Sequence, residues 1–384
     1  MISAELLSLV ACPLCLEAAG CASCGRPAPT SDAREYAARA GCACGGPDKL
    51  RLAEEPGGLR CPGCGTRYAL DREAGFVDLV PRADVGAVTQ YADHEFHERL
   101  QVTEAPPVLS ARVKADMMRR MLDPRSGQRV LDLGCGAGKF ALYAGRDGAR
   151  ATGLDVAPFF LPRALREVDL VLGDLRRLPF RKGSFPRAYT LDVLEHLDEP
   201  GVSDVLREAR RVIGPGGRLF VYTHAMESSR LAGFQRAVNR LAKRLGRFGL
   251  IDSEREALRK SDHVNAIRSH EHFDQLCARA GLRVAERRYY NVVWKAVVED
   301  LALRLVEQWR RRRAPAAPPA AEAAPEGRPR TVGGRPPGRL ALTVALALTF
   351  VLKLDVVLFG GIRTGPFFGL LLPAEGGPAA APRA

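Results

Sequence analysis

Eight of the ten cysteines lie between residues 12 and 64, and they are arranged as close pairs. The pairs are Cys12/Cys15, Cys21/Cys24, Cys42/Cys44 and Cys61/Cys64. Paired thiolates at this spacing are typical of zinc knuckles rather than of disulfides. Zinc held by four thiolates has no open coordination position, so we expect structural metal sites. Thiolates bind zinc only while they are reduced, which favours the cytoplasm as the compartment.

A glycine-rich segment, DLGCGAG from Asp132 to Gly138, could bind a nucleotide. It follows a strand-like segment and precedes a helix-like one. Glycines there let the backbone turn tightly and approach a ligand closely at the start of a helix. The next predicted strand ends at Asp155, 21 residues beyond Gly134. A carboxylate at that position can accept hydrogen bonds from both ribose hydroxyls.

The glycine spacing favours one kind of nucleotide over another. A dinucleotide fingerprint has its third glycine where this chain has Lys139, and here the glycine comes one residue early, at Gly138. The charge of Asp132 is unfavourable beside a pyrophosphate but suits a ligand that carries an amino group and a sulfonium. The sequence therefore favours S-adenosylmethionine over a nicotinamide cofactor. A glycine turn without a ligand is the alternative, and the preceding strand and the following acid argue against it.

Strand-like and helix-like patterns alternate around this loop, which predicts an α/β fold with a largely parallel sheet. Six strand-like segments cover residues 129–133, 149–155, 169–173, 187–191, 217–223 and 282–291. We divide the chain into a cysteine module (1–80), a helical connector (81–126) and the α/β domain (127–310). A disordered insert rich in proline and arginine (311–338) follows, and then a C-terminal helix and strand with a flexible tail (339–384).

Five segments resemble, in order, the motifs of class I S-adenosylmethionine-dependent methyltransferases, most closely the ubiquinone-biosynthesis group. They are VLDLGCGAGKFAL, GLDVAP, GDLRRLPFRKGSF, LDVLEHL and VIGPGGRLFVYT, within residues 127 to about 290. The resemblance implies a Rossmann-like, seven-stranded methyltransferase sheet. Its last strand would be antiparallel and lie between the fifth and sixth strands, and PFFGLLLPA at 366–374 is the candidate for it. The motifs do not specify a substrate.

The resemblance also implies roles for single residues in binding S-adenosylmethionine. Asp132 would hold the amino group, and Asp155 would bind the ribose. Asp174 and the amide of Leu175 would recognise the adenine edge. Further contacts would come from the loop and the strand ends: Gly134, Cys135, Gly136, Gly138, Val156 and Leu191. Pro186 stands where the family usually has Asp, and this affects a turn more than the site.

The segments ELLSLVACPLC and LRCPGCGTRYALDREAGFVDLV resemble the small zinc-ribbon proteins that partner methyltransferases. The resemblance implies a small N-terminal zinc-ribbon domain with one zinc ion on Cys12, Cys15, Cys61 and Cys64. The inserted Cys21, Cys24, Cys42 and Cys44 would then form a second, nested site. An alternative groups the first four cysteines in one site and the last four in the other. Either arrangement predicts two structural Zn²⁺ ions.

A general base is needed if the methyl acceptor carries a proton of high pKa. Candidates should lie at the carboxyl ends of the fourth and fifth strands, where Asp192, His196 and His224 are found. We favour His224 as the base and expect His196 to pack within a helix. Three further histidines precede the sixth strand and face either substrate or solvent: His263, His270 and His272.

The segment between the fifth and sixth strands, SSRLAGFQRAVNRLAKRLGRF, predicts a basic amphipathic helix without an acidic residue. Its cations are Arg230, Arg236, Arg240, Lys243, Arg244 and Arg247. Together with a formal net charge of +13, they favour an anionic acceptor or one held at an anionic surface. The apolar face either packs on the domain or docks on lipid.

A second apolar segment lies near the C-terminus. Leu340 to Leu352 is a run of thirteen residues that ends at Lys353 and Asp355. The run is too short to span a bilayer, which needs about 20 residues. The N-terminal segment lacks the basic region and cleavage site of a secretory signal. We therefore expect a cytoplasmic protein, and peripheral contact with the inner membrane surface is an alternative.

Three functions are compatible with these features. The first is methyl transfer to an O, N or C acceptor on a small-molecule, lipid-linked or glycan substrate. The second is methylation of rRNA or tRNA, although the basic helix offers only Phe234 and Phe248 for base stacking, both on its apolar face. The third is an inactive zinc-ribbon regulatory protein, against which the intact glycine loop, Asp155 and Asp174 argue. No contact with DNA is expected.

Overall fold

The computed structural model describes residues 2–18, 52–80, 102–251, 263–313, 330–334 and 338–374. Four cysteines of the predicted second zinc site lie outside the described residues: Cys21, Cys24, Cys42 and Cys44. The same is true of residues 81–101 in the predicted connector and of 314–329 in the predicted insert. The prediction of disorder over 311–338 is wrong at both ends, because a helix continues to Arg313 and a short strand occupies Arg330–Thr331.

The cysteine module extends the sheet of the α/β domain. Its elements are α1 (Ala4–Leu9), α2 (Pro13–Ala18), β1 (Ala53–Glu55), β2 (Gly58–Arg60), β3 (Arg67–Asp71) and β4 (Phe76–Asp78). The four strands form an antiparallel meander, and β4 pairs in parallel with β8 (Asp169–Leu172). Ser3, the N-cap of α1, donates its hydroxyl to Oδ2 of Asp169 at 2.6 Å. The module is therefore attached to β8 at two points.

The sheet continues beyond β4 in the order β8, β6, β5, β9, β10, β13, β11. The new strands are β5 (Arg129–Leu133), β6 (Arg150–Asp155), β9 (Arg187–Leu191), β10 (Arg218–His224), β11 (Leu282–Tyr289) and β13 (Pro366–Pro373). β13 is antiparallel to both of its neighbours, whereas β8, β6, β5, β9 and β10 are parallel. The described sheet has eleven strands rather than the predicted seven, because the module adds β1 to β4.

Helices cover both faces of this sheet. One face carries α3 (Leu109–Leu122), α4 (Lys139–Ala144), α5 (Pro162–Glu167), α9 (Val293–Val297), a π-helical turn (Val298–Leu303) and α11 (Arg339–Phe359). The other face carries α6 (Glu199–Ile213) and α8 (His270–Arg279), together with α1 and α2. α7 (Ala232–Arg247) packs against α9, and α10 (Arg304–Arg313) continues the π-helical turn. A separate parallel pair joins β7 (Phe159–Phe160) to β12 (Arg330–Thr331).

The alternation of side chains along the strands supplies both cores. Leu131 and Val221 face the core beneath α6 and α8. Tyr189, Phe220 and Phe368 face the core beneath α3 and α11, and all three are fully buried. Every residue of β9 is buried, as expected for a central strand of a parallel sheet that is covered on both faces.

The C-terminal helix is longer than the apolar run in the sequence indicated. α11 has 21 residues and continues through Lys353 and Asp355 to Phe359. Its length and composition would suffice to cross a membrane, so the expected helix length of thirteen residues is too short, and the length of the apolar run alone does not exclude a span. The two charged residues do not end the helix because both are paired with groups of the protein. The chain then returns into the middle of the sheet as β13.

Candidate active site

The glycine loop turns back against the neighbouring strand as soon as β5 ends. The backbone N–H groups of Gly134 and Cys135 both donate to the carbonyl of Leu154, at 2.9 and 3.0 Å. Gly134 has φ 79°, and a Cβ at this position would lie 2.6 Å from Cγ2 of Val193. A side chain is therefore excluded both by the backbone conformation and by the close approach of Val193. Gly138 then caps α4.

Asp155, the last residue of β6, holds the loop in place. Its Oδ2 accepts from the N–H of Gly136 at 2.7 Å, and its Oδ1 accepts from the N–H of Ala157 at 3.0 Å. A Cβ built on Gly136 would meet no atom within 4 Å, so the loop borders open space there. Each carboxylate oxygen has a second lone pair. Asp155 can therefore hold the loop and accept from ligand hydroxyls together.

Asp132 lies beneath the loop with unused hydrogen-bonding capacity. The side chain is buried, and Oδ2 has no hydrogen-bond partner among the described residues. Burial, assisted by the negative charge of Asp155, raises the pKa of Asp132 to about 8. Such a group gains from a cationic or hydrogen-bond-donating ligand. The amino group of S-adenosylmethionine has this chemistry, so the residues present fit that ligand.

The other predicted cofactor residues line the same edge of the sheet. Asp174 follows β8 and caps a short 3₁₀ turn that begins at Leu175. Its carboxylate accepts from the guanidinium and backbone N–H of Arg176, at 2.8 Å each for the shortest contacts. If Asp174 contacts adenine as predicted, its carboxylate would interact with both the adenine and Arg176. The remaining members follow or end β5, β6 and β9: Cys135, Val156 and Leu191.

An ion pair closes the carboxyl end of β9. Asp192 has a left-handed backbone, with φ 54°, and its two carboxylate oxygens accept from Nζ of Lys114 at 2.8 and 2.5 Å. The same ammonium lies 4.4 Å from the ring centroid of Tyr222. A non-glycine residue with this φ is uncommon and costs energy. Lys114, Asp192 and Tyr222 therefore form a charged and aromatic wall at the carboxyl end of β9.

His224, the last residue of β10, contacts a buried carboxylate. Its Nδ1 lies 3.3 Å from Oε1 of Glu195, and Thr223 donates its hydroxyl to Oε2 of Glu195 at 3.0 Å. Burial alone would raise the pKa of Glu195, but the interaction with His224 outweighs it and lowers that pKa below its usual value. The imidazole is 30% exposed while the carboxylate is 1% exposed. Nδ1 of His224 has no hydrogen-bond partner among the described residues, so the contact with Glu195 is electrostatic rather than a hydrogen bond.

The other histidines in the described ranges divide into two groups. His196 and His263 pack edge to face, with ring centroids 4.7 Å apart, and the ring of His263 lies 6.5 Å from that of His224. His270 is buried, and its Nε2 lies 2.8 Å from the carbonyl of Thr364. His272 lies 3.5 Å from Glu199. Only the first group adjoins the candidate base.

Two residues of this site were not found by the sequence reasoning. Lys114 lies in the segment that was assigned to a connector, and no local motif links it to Asp192. Glu195 is part of the LEHL segment and directly precedes His196, the residue of this segment that was considered as a base. The signal available for Glu195 was a carboxylate at the end of an apolar strand, one position before a histidine. The predicted base, His224, is the residue that Glu195 contacts.

The four outer cysteines of the module come together as one cluster. The ligand atoms of Cys12, Cys15, Cys61 and Cys64 all lie within 4.8 Å of one another. Two pairs of sulfurs are 3.5 and 3.6 Å apart, close to the separation of about 3.8 Å that tetrahedral zinc imposes. The hydroxyl of Tyr68 lies 3.0 Å from Sγ of Cys12 and can donate to a thiolate. The donor set therefore fits zinc.

Comparison with known proteins identifies the domain that carries the glycine loop. The family model for a methyltransferase domain matches residues 131–221. An uncharacterized 37.1 kDa transposon protein of Streptomyces fradiae is 36% identical over 183 residues, which are 44% of this chain and 50% of that protein. A ubiquinone biosynthesis O-methyltransferase of Xanthomonas oryzae pv. oryzae is 33% identical over 119 residues, 29% of this chain and 48% of the enzyme.

The chain spans about half the length of these curated relatives. Among solved structures, phosphoethanolamine N-methyltransferase 2 of Haemonchus contortus with S-adenosylmethionine aligns with a TM-score of 0.45 and 14% identity. The alignment covers 76% of this chain and 61% of that one. Residues 131–221 form a methyltransferase domain of the class I, S-adenosylmethionine-dependent type.

Proposed function

We propose that the whole chain is an S-adenosylmethionine-dependent methyltransferase whose acceptor gives up a proton during transfer. One observation carries the proposal: the glycine loop lies between a buried, unsatisfied carboxylate, Asp132, and a second carboxylate at the end of β6, Asp155. An inactive regulatory protein would not need to retain a buried carboxyl group without a hydrogen-bond partner on Oδ2, which costs stability. The methyltransferase domain supports the same activity.

The loop residues would bind the nucleoside and the amino acid parts of the ligand. Asp155 would accept from ribose hydroxyls with its remaining lone pairs, and Asp132 would hold the ammonium. The backbone at Gly136 borders open space and leaves room for the ligand, whereas Gly134 and Gly138 lie against the side chains of Val193 and Ala164. Asp174 and the amide of Leu175 would contact the adenine edge. Cys135, Val156 and Leu191 would contribute backbone and apolar contacts around it.

When bound, S-adenosylmethionine supplies a methyl group on a sulfonium, an electrophile for in-line displacement. The chain must hold the acceptor near attack distance and remove its proton. Nε2 of His224 is available for that proton, since Nδ1 faces Glu195. The negative charge of Glu195 stabilises the imidazolium that forms. The relative from Xanthomonas is named for O-methyl transfer, and a hydroxyl acceptor would need this base.

We further propose that the acceptor is anionic, or is held at an anionic surface. Residues 225–231 lead directly from the end of β10 into α7, whose cations include Arg236, Arg240 and Arg244. These cations would raise the local concentration of an anionic acceptor near His224. Methylation of rRNA or tRNA uses the same charge, but Phe234 and Phe248 lie along the apolar stripe of α7 rather than among its cations.

The deciding experiment is transfer of labelled methyl from S-adenosylmethionine to lysate separated into lipid, RNA, protein and small-molecule fractions. We expect label in the lipid or small-molecule fraction, and much less label with Asp155→Ala when the cofactor is not saturating. Label confined to RNA would identify an RNA methyltransferase. No label in any fraction, from protein that binds the cofactor by calorimetry, would overturn the proposed activity.

The Asp155→Ala variant has a predicted binding defect of its own. Loss of charge-assisted hydrogen bonds to ribose should reduce cofactor affinity by about 1.5–3 kcal/mol. Calorimetry with S-adenosylhomocysteine measures this directly. Asp174→Ala serves as the comparison. The carboxylate of Asp174 already pairs with Arg176, so its removal should reduce cofactor affinity less. Unchanged affinity in Asp155→Ala would rule out the ribose assignment.

We also propose that Cys12, Cys15, Cys61 and Cys64 hold one structural Zn²⁺, and that the four inserted cysteines hold a second. Three of the outer four are buried, so the first site has no room for a catalytic water. The proximity of the outer pairs supports the nested grouping over the sequential one. A cytoplasmic location agrees with reduced thiolates.

A further inference from the structure

The distribution of side chains on α11 is the reverse of that expected for a surface helix. Nζ of Lys353 lies 2.6 Å from Oδ2 of Asp116 on α3. Asp355 is fully buried and accepts from the backbone N–H groups of Trp294 and Lys295, at 2.9 and 3.2 Å. Both charges near the C-terminal end of α11 thus face the protein. A surface helix of a soluble protein turns its charges outward.

The outward face of α11 is apolar. Leu340, Val344, Phe350 and Val357 are 48–79% exposed. These four side chains spread over somewhat less than half of the helix circumference. Arg339 is exposed at the N-terminal end of the same helix, and the side chain of Lys353 is 43% exposed beside its ion pair with Asp116. The rest of the exposed surface of α11 carries no charged side chain among the described residues. An exposed apolar stripe of this length marks a binding surface.

A second apolar stripe runs along α7. Phe234, Leu241 and Phe248 are seven residues apart, so they align on one side, and they are 46%, 45% and 76% exposed. Arg236, Arg240, Lys243, Arg244 and Arg247 are exposed beside them. None of these cations forms an ion pair with another residue of the described chain. Apolar side chains bordered by exposed cations are the pattern of a helix that lies in an anionic interface.

Both helices that carry an apolar stripe adjoin α9. This helix packs against both α7 and α11, and its Trp294 is 37% exposed. The other tryptophan of the chain, Trp309 on α10, is also exposed. Gln308 ties α10 to the end of α7 by donating to the carbonyl of Gly249 at 3.2 Å. Tryptophan is enriched where protein meets the interfacial region of a bilayer.

We propose that α7 and α11 form a docking face for an anionic lipid bilayer, on which the protein lies without spanning it. The cations of α7 select for anionic headgroups, and the apolar stripes enter the boundary between headgroups and acyl chains. Spanning is excluded by topology, because α11 leads directly into β13, which pairs with β10 and β11 in the sheet. A second copy of the chain fits the face less well, because the exposed cations of the two copies would meet.

Vesicle sedimentation tests this face without requiring any methyl acceptor. The full chain is mixed with vesicles of phosphatidylcholine alone and with vesicles that also contain phosphatidylglycerol. We expect binding to the mixed vesicles and a decline with added salt. Reversal of charge in Arg236→Glu, Arg240→Glu and Arg244→Glu together should weaken binding by on the order of tenfold or more. Leu340→Ser with Phe350→Ser should also weaken it, at every salt concentration.

Matched controls separate this face from net charge and from fold. Lys182→Glu, Arg279→Glu and Arg283→Glu together change the net charge equally, at exposed positions outside α7, α9, α10 and α11. Val264→Ser, at a side chain 56% exposed, is the control for the apolar substitutions. Both controls should bind as the unmodified chain does. Binding should also shift tryptophan fluorescence to the blue, because Trp294 and Trp309 are exposed on α9 and α10, which adjoin α7.

Three outcomes would overturn the proposal. The first is failure of the unmodified chain to sediment with anionic vesicles at low salt. The second is equal loss of binding in the face variants and in the matched controls. The third is a stable dimer, measured by light scattering, that Leu340→Ser with Phe350→Ser dissociates, since the stripe would then be an interface between copies. Cofactor binding, measured in parallel, reports separately on the methyltransferase site.

Discussion

Asp132 has opposite effects on the stability of the free protein and on the stability of the cofactor complex. Its pKa is raised to about 8 by burial, whereas an unfolded aspartate ionises near 3.9. A carboxyl with a raised folded-state pKa binds more protons when folded, so stability falls as pH rises from about 4 to about 8. The cofactor ammonium would offset this cost when it binds. The residue therefore stabilises the complex at the expense of the free protein.

Asp132→Asn should separate these two effects. We expect the free variant to unfold at higher temperature than the unmodified chain at pH 8, by about 1–2 kcal/mol of unfolding free energy. The gap should close toward pH 5, where the unmodified carboxyl is protonated. Cofactor affinity should fall by about 1.5–3 kcal/mol. Thermal unfolding across this pH range, with and without S-adenosylhomocysteine, measures both, and a pH-independent gap would contradict the burial argument.

Glu195→Gln tests whether the contact with His224 positions a base. Gln keeps the shape and can still accept from Thr223, but it removes the negative charge beside the imidazole. We expect kcat to fall by roughly 10- to 100-fold with little change in KM. Unchanged kcat in a variant that still folds would show that Glu195 has a purely structural role.

At the scale of elements, the strands and the glycine loop could be predicted because their signals are local. β5, β9 and β10 follow from short apolar runs, and the loop follows from its glycines. The end of α11 could not be predicted in this way, because Lys353 and Asp355 read as interruptions until their partners on α3 and α9 are known. The pairing of Lys114 with Asp192 was invisible for the same reason, since 78 residues separate them.

The zinc module makes a prediction about stoichiometry. Protein purified without added metal should contain two zinc ions per chain by elemental analysis, one of them on the described cluster. Cys61→Ser should lower the ratio by one. Cys277→Ser is the control, because this buried cysteine on α8 lies outside the module and should leave the zinc content unchanged. A ratio near one in the unmodified chain would show that the inserted cysteines bind no metal.

At the scale of the whole molecule, the module and the methyltransferase domain share one sheet. Because β4 pairs with β8, removal of zinc should destabilise more than the module. We expect a chelator to lower the midpoint of a single thermal transition that includes the loss of cofactor binding. Two transitions, of which only the first responds to chelator, would show that the two parts unfold independently.

The C-terminal segment is also an integral part of the shared sheet. Truncation after Arg313 removes α11 and β13, so β10 and β11 lose the strand between them together with buried Phe367, Phe368 and Leu371. We expect insoluble protein, because two open strand edges and an uncovered core remain. Truncation after Ala374 retains β13 and should be soluble. A soluble chain ending at Arg313 that still binds cofactor would contradict this account.

The position of β13 also sets the order in which the protein can be completed during synthesis. Strands β5 to β11 leave the ribosome first, but β10 and β11 have no common neighbour until residue 373 has emerged. During that interval the nascent chain exposes two strand edges and then the apolar α11. Codon usage, translation speed and chaperone supply over residues 290–373 should therefore control the yield of native protein more strongly than they do elsewhere in the chain.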